Sequence, residues 1–282
     1  MSEPVFTTPT DDELRLFAEL RCRGEALRGL YLALAERSAV WIVRQDEEAA
    51  GIVFAGGGDD ETYVHELFVR PPHRRNGFGS RLLEEATREA RSRFATLDAA
   101  DGGSQAFAIR HGAAMRGVLL QCTGAVPREE DLLRLAASEG RRFEVAPLDI
   151  GAQRFAVEAL EREVRGAPLG ADHAILGGLA SGSAFFINDE LIGYAYVWPD
   201  GRIGPVIASS TSYLEQIFAF AFAALMRGHG ATWAQCLVPG ENTRILRAAI
   251  GFGLTIETAW LTARTSEAGD ASRYVACHPL LY

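Results

Sequence analysis

Glu66-Leu67-Phe68-Val69-Arg70-Pro71-Pro72-His73-Arg74-Arg75-Asn76-Gly77-Phe78-Gly79-Ser80-Arg81-Leu82-Leu83 runs from an apolar strand through a short Pro/Arg loop into a glycine-punctuated helix start. It reads as a phosphate cradle. Gly77 and Gly79 remove the side chains that would block a close backbone approach, and the helix that follows presents unpaired N–H groups and a positive dipole end to an anion. The other common phosphate signatures fit less well: there is no Gly-x-x-x-x-Gly-Lys-Ser/Thr, and no Gly-x-Gly-x-x-Gly follows a strand. The competing reading is an ordinary strand-to-helix turn with two glycines.

The chain around this loop is 282 residues long, enough for about two domains of the usual size. Hydrophobic residues make up 48% and charged residues 23%, the balance of a globular protein with a sizeable core. No apolar run approaches the ~18 residues of a membrane span, so no membrane partner is expected. The opening Met-Ser-Glu-Pro-Val-Phe lacks the basic and apolar regions of a secretion signal, so a cytoplasmic location is expected. A formal net charge of −9 disfavours nucleic acid and mildly attracts a cationic amine. Cys22, Cys122, Cys236 and Cys277 are scattered, which points to buried thiols rather than a disulfide framework or a metal site. All 28 basic side chains are arginine, and with the abundant alanine this suggests a GC-rich bacterial source.

Hydrophobic periodicity gives one plan twice. In the first half, helices are expected at 11–20 and 24–35, strands at 40–44, 50–55 and 62–69, and an amphipathic helix at 79–93. A strand at 94–99, a short helix ending at His111 and a strand at 115–122 follow. The second half repeats the order, with a strand at 143–147, a helix at 152–164, a hairpin over 184–188 and 192–198, and a strand at 202–208. Then come a long helix at 213–229, a strand at 231–238, a helix ended by Gly251-Phe252, and strands at 254–263 and 274–278. Matching order over about half the chain signals internal duplication. The expected division is residues 1–126, a linker helix over 127–141, and residues 142–282.

The spacing Arg74-x-x-Gly77-x-Gly79 resembles the Arg/Gln-x-x-Gly-x-Gly/Ala loop of the GNAT superfamily of N-acetyltransferases, and the duplicated plan resembles its tandem members. The resemblance implies an α/β (α+β) fold of two tandem GNAT-like domains, each a mixed, mostly antiparallel sheet flanked by helices. It implies acetyl-coenzyme A as cosubstrate, no metal, and direct transfer of the acetyl group to the primary amine of a small molecule such as an antibiotic or metabolite. Protein N-acetylation, and acyl-coenzyme A binding without turnover, are the alternatives. A monomer or homodimer is expected.

Carried over by position, the cofactor would meet Leu67, Phe68 and Val69 on the strand and Arg74, Arg75, Asn76, Gly77, Phe78, Gly79 and Ser80 at the helix start. In the family, a backbone N–H of this strand binds the acetyl carbonyl, a role that falls here to Leu67. The second half has Ala208-Ser209-Ser210-Thr211-Ser212 at the matching place and no glycine, so the first half is expected to bind the cofactor. A serine phosphate nest in the second half is the competing possibility.

Strict strand alternation puts Tyr63, His65 and Leu67 on one face, Val64 and Glu66 on the other. His65 sits where the family often places its base, and an imidazole titrates near neutrality; a structural, hydrogen-bonded histidine is the other reading. Glu66 resembles the acidic residue common in this strand, either turned inward by a bulge or facing solvent or a helix. Tyr63 is either a wall of the amine pocket or a β-favouring aromatic. The family's thiolate-protonating tyrosine falls on Ala108, leaving water, Ser104, His111 or the second half to supply a proton.

Overall fold

The computed structural model describes residues 3–22, 24–57, 61–126, 130, 143–170, 172–266 and 270–281. The expected linker over 127–141 lies outside these, apart from Glu130. The first half contains β1 (Val5–Thr7), α1 (Asp11–Arg21), α2 (Glu25–Arg37), β2 (Ala39–Gln45), β3 (Glu48–Gly57) and β4 (Glu61–Val69). It continues with α3 (Phe78–Ala86), β5 (Ser92–Asp98), α4 (Gly102–Arg110) and β6 (Ala114–Ala125). The second half contains β7 (Glu144–Pro147), α5 (Ile150–Arg165), α6 (Asp172–Leu179), β8 (Ser181–Ile187), β9 (Glu190–Val197) and β10 (Ile203–Ala208). It ends with α7 (Thr211–His229), β11 (Trp233–Pro239), α8 (Thr243–Gly251), β12 (Thr255–Arg264) and β13 (Tyr274–Val275).

Local signals explain most of these boundaries. Thr10 and Glu13 close a reciprocal capping box that opens α1. Asp46 and Glu47 take φ values of 50° and 69°, and Asn188 and Asp189 take 50° and 64°. Both hairpins therefore turn through a pair of left-handed residues, the geometry that matches strand twist. The helix expected to run to residue 93 stops at Ala86, and α6 was not anticipated.

Long-range pairing departs most from expectation. One sheet has the order β1-β2-β3-β4-β5-β12-β6-β11 and the other β13-β10-β9-β8-β7. The last long strand of the second half is inserted between β5 and β6 of the first: Leu261 stands opposite Leu97 on one side and Val118 on the other. In turn β6 reaches across to β11, Cys122 facing Cys236. The two halves thus exchange strands. One apolar cluster joins them, with Phe17, Tyr31, Phe54 and Tyr63 from the first half and Val157, Tyr194, Leu237 and Tyr274 from the second. All four cysteines are free and buried, as expected.

In the first half β4 and β5 run parallel and pair only from Glu61 to Tyr63. Past Tyr63 a cavity lies between the two parallel strands, while β5 pairs with β12 along its other edge. The equivalent strands of the second half, β10 and β11, share a single parallel bridge at Arg202 and Gln235. Here the space is filled by the chain's own end. Val206 and Ile207 pair with Val275 and Tyr274, and Leu237 exchanges two backbone hydrogen bonds of 2.9 and 2.8 Å with Ala276.

Candidate active site

The first-half cavity has a volume of about 960 Å³. One end is the glycine loop. Gly77 adopts φ +78° as the cap of α3 and contributes no side-chain cap, so the first N–H groups of that helix lack a side-chain acceptor. A Cβ at Gly77 would meet nothing within 4 Å, whereas one at Gly79 would come within 3.3 Å of Phe107 on α4. Arg74 Nε donates to the Val69 carbonyl at 2.9 Å, bracing the loop against the strand end. In the second half the matching helix is capped: Ser210 accepts the Tyr213 N–H at 3.2 Å.

The other end is the middle of β4, where the ladder is bulged. Phe54 pairs with Glu66 and Ala55 with Val64, so His65 is the extra residue. The bulge reverses the alternation downstream. Val64, Leu67 and Val69 pack together on the side of α3, while Tyr63 and Phe68 belong to the opposite cluster. The expected sharing of one face by Tyr63 and Leu67 is therefore corrected, and His65 and Glu66 are both buried, at 5% and 8% exposure.

Glu66 faces a helix rather than solvent. Arg21 at the end of α1 holds it through Nε at 3.0 Å and lies over the Phe68 ring at 4.6 Å. Burial pushes the Glu66 carboxyl up, opposed by Arg21 and by the Leu67 N–H. The His65 Nδ1 lies 2.8 Å from the Leu280 carbonyl oxygen, while Nε2 is buried without a hydrogen-bond partner among the described residues. Burial holds the imidazole below its usual titration range, against the pull of Asp172 and the Leu280 carbonyl. The neutral ring is the form present at neutral pH.

Of the residues singled out in the sequence, His65, Glu66, Leu67, Phe68, Val69, Arg74, Arg75, Gly77, Phe78, Gly79 and Ser80 line this one cavity. Asn76 and Tyr63 do not. Tyr63 is buried against Phe94, its hydroxyl bonded to Thr96 Oγ1 at 2.9 Å and to the Pro279 carbonyl, so it anchors the chain's end rather than walling the cavity. Sequence reasoning missed Arg21, Cys22 and Tyr31, which arrive from α1 and α2; the carboxyl-terminal His278 to Leu280, for which the sequence left open a place along the sheet or in the cleft, also line the cavity. Their placement depends on contacts across the whole chain, and no local pattern marks them.

Tyr31 is fully buried edge-on to Phe54, its hydroxyl without a partner among the described residues and held protonated by burial. Burial also pushes the Cys22 thiol up to about 11, so it is not a thiolate nucleophile near neutrality. On the far wall His111 Nε2 pairs with Ser80 Oγ at 3.0 Å. No group of three or more metal-ligating side chains occurs among the described residues, and no described helix is long and apolar enough to cross a membrane.

Residues 6–113 match the family model described as acetyltransferase (GNAT) family. No curated protein matches the chain. Among solved structures, a tandem GNAT protein from the clavulanic acid biosynthesis pathway is similar at 16% identity and a TM-score of 0.62, over 93% of this chain and 98% of that one. A Pyrococcus horikoshii protein solved as a candidate acetyltransferase is similar at 16% identity and a TM-score of 0.72, over 99% and 96%. A GCN5-related N-acetyltransferase from Sphaerobacter thermophilus is similar at 13% identity and a TM-score of 0.56, over 94% and 95%. Residues 6–113 thus match the GNAT acetyltransferase family, and the chain as a whole shares the fold of a tandem GNAT protein.

Proposed function

We propose that the protein is an acetyl-coenzyme A dependent N-acetyltransferase that acetylates the primary amine of a small molecule by direct transfer. The observation that carries this reading is the single cavity joining an uncapped, glycine-opened helix start to a buried neutral histidine on a bulged strand. The residues fit such a cosubstrate. The N–H groups of residues 75–80 would hold the pyrophosphate, with Arg74 and Arg75 supplying positive charge, and β4 would carry the acyl arm along Leu67 to Val69.

The acceptor nitrogen attacks the thioester carbonyl carbon, the oxyanion is met by a backbone donor on β4, and the C–S bond breaks to release the thiol. The amine must first lose a proton. His65 takes it on Nε2 through water, since that atom is buried against Gly56; a carbonyl oxygen can only accept, so the Leu280 contact keeps the other proton on Nδ1. Glu66, tied to Arg21, holds the acceptor end electrostatically. Tyr31, Ser104 and His111 line the cavity as proton sources for the departing thiolate, replacing the tyrosine that the family pattern would put at Ala108.

The second half serves as a degenerate copy. Its helix start is capped by Ser210 and its inter-strand space is filled by β13, both of which support cofactor binding in the first half alone. The division at 1–126 and 142–282, a cytoplasmic location and a monomeric or homodimeric state belong to the same reading. Substitution of Ala108 for tyrosine favours one other reading, acyl-coenzyme A binding without turnover. A primary-amine panel with thiol-release detection, run beside a thermal shift with acetyl-coenzyme A, separates them: stabilisation with no release on any amine overturns transfer.

A further inference from the structure

A second, shallower cavity of about 310 Å³ adjoins the first, and Leu27 and His278 line both. Its other walls are Glu25 on α2, Asp200 and Arg202 at the turn before β10, and Trp233 and Gln235 on β11. It lies between the halves, beside the acceptor end of the main cavity.

Arg202 is only 5% exposed. Its Nε lies 3.0 Å from Asp200 Oδ2, and the guanidinium sits 4.6 Å over the Trp198 ring. Its Nη1 has no hydrogen-bond partner among the described residues. A buried guanidinium N–H without an acceptor is unfavourable, and in native proteins such an atom calls for an explanation. Arg202 itself lines the cavity, with Nη1 buried just behind its surface.

His278 adds a second donor. The Leu280 N–H donates to His278 Nδ1 at 3.1 Å, so the lone pair is there and the ring proton is on Nε2. Burial, reinforced by Arg202, pushes the imidazole down to about 3, which leaves it neutral. Trp233 is 42% exposed and packs over Gly201, where an added Cβ would approach Cε3 to 2.7 Å, so the indole offers a flat apolar face at the rim. Glu25 and Asp200 against Arg202 leave negative charge in excess, which opposes a carboxylate at this spot.

We propose that this cavity is the specificity subsite for the acceptor, seating a neutral oxygen-bearing end, hydroxyl or amide carbonyl, against Trp233 as it accepts from Arg202 Nη1 and His278 Nε2. The acceptor's amine then points along the shared wall toward His65 and Glu66. This rests on the acetyl-transfer reading above. A site built to hydrogen-bond an oxygen discriminates against the analogue lacking it, because its donors are then left unpaired.

The test uses the full chain with acetyl-coenzyme A and the matched amines n-pentylamine, aminopentanol, aminopentanamide and aminopentanoate, with glucosamine and glycinamide as arms that separate a sugar from a peptide-like source. Both kcat/KM by thiol release and amine affinity by calorimetry with coenzyme A present are measured. The expected result is a preference of about 10- to 100-fold for the neutral oxygen-bearing amines over pentylamine, with aminopentanoate below both. Arg202→Lys keeps a cation beside Asp200 but removes Nη1, and should narrow that preference. Equal affinities and rates for pentylamine or aminopentanoate in the unaltered protein overturn the subsite. The ranking by calorimetry with no thiol release on any amine keeps the subsite and overturns the transfer reading instead.

Discussion

The Nδ1 atom of His65 and the carbonyl oxygen of Leu280 meet at 2.8 Å across 215 residues of sequence, and this contact decides which imidazole nitrogen can act. A carbonyl cannot donate, so Nε2 carries the lone pair. His65→Ala should lower turnover by roughly two to four orders of magnitude with little change in acetyl-coenzyme A affinity, as expected for a positioned base. Glu66→Gln should cost less, since its carboxylate is already committed to Arg21. Steady-state kinetics on both variants checks this; a silent His65→Ala beside an inactive Glu66→Gln would transfer the role of base to Glu66.

At the other end of the cavity, Gly79 faces Phe107 closely enough that even a methyl group must displace the ring slightly. Gly79→Val should therefore narrow the cradle and weaken acetyl-coenzyme A binding by about tenfold or more, the worth of a lost charge-assisted hydrogen bond. Gly77→Ala meets open space but keeps φ +78°, so it should mainly lower stability, by about 1–2 kcal/mol. Calorimetry against thermal melting tells the two effects apart. Unchanged affinity in Gly79→Val would remove the glycine loop from the cofactor site.

Two imidazoles make the fold sensitive to acid. His65 and His278 both titrate below the ordinary histidine value in the folded chain, His278 at about 3, because burial disfavours the cation. An unfolded imidazole takes its proton near about 6.5, so between that pH and the folded value the unfolded state binds more protons. Stability contributed by these residues is present above pH ~6.5 and is lost as pH falls through their lowered folded values, about 3 for His278. The unfolding midpoint should drop across this window, and less steeply in a His65→Gln/His278→Gln variant than in the parent. Identical slopes would mean that neither histidine is held neutral by the fold.

How legible the site was depends on the range of the interactions that build it. The cradle and both hairpin turns follow from adjacent residues, Gly77, Asp46-Glu47 and Asn188-Asp189, whose backbone preferences act locally. The reversal of faces after His65 was open only as the bulge that the family resemblance offered at Glu66, since a bulge is set by the register of β4 against β3 rather than by β4 itself. Arg21, Tyr31 and the segment from His278 reach the cavity through tertiary packing. The same is true of the exchange of β12, because its sequence is that of an ordinary strand and does not say which half it joins.

Arg264 on β12 shows what that exchange ties together. It is 2% exposed, lies over Phe94 at 4.6 Å, and donates through Nη2 to Glu61 at the start of β4 at 2.7 Å. Arg264→Met leaves a buried carboxylate without its cation and should destabilise the protein by about 3–5 kcal/mol. The double variant Glu61→Gln/Arg264→Met removes both charges and should recover much of that loss. Denaturant unfolding of the two variants and the parent measures the difference; equal losses would show that the pair contributes nothing as a pair.

The exchange also sets what the first half can do alone. Removing residues 127–282 takes β12 from between β5 and β6, leaving both with unpaired N–H and C=O groups in the middle of a sheet. It also removes Pro279 and Leu280, the acceptors for Tyr63 and His65, and the second-half members of the shared core. Fragment 1–126 should therefore aggregate when produced alone, although it contains the whole glycine loop. Co-expression with fragment 127–282 should restore a soluble complex, since each half supplies strands that the other lacks. A monomeric 1–126 fragment with a cooperative melt and full acetyl-coenzyme A affinity would show that the inserted strand is dispensable, and the division of labour between the halves would then rest on the acceptor site alone.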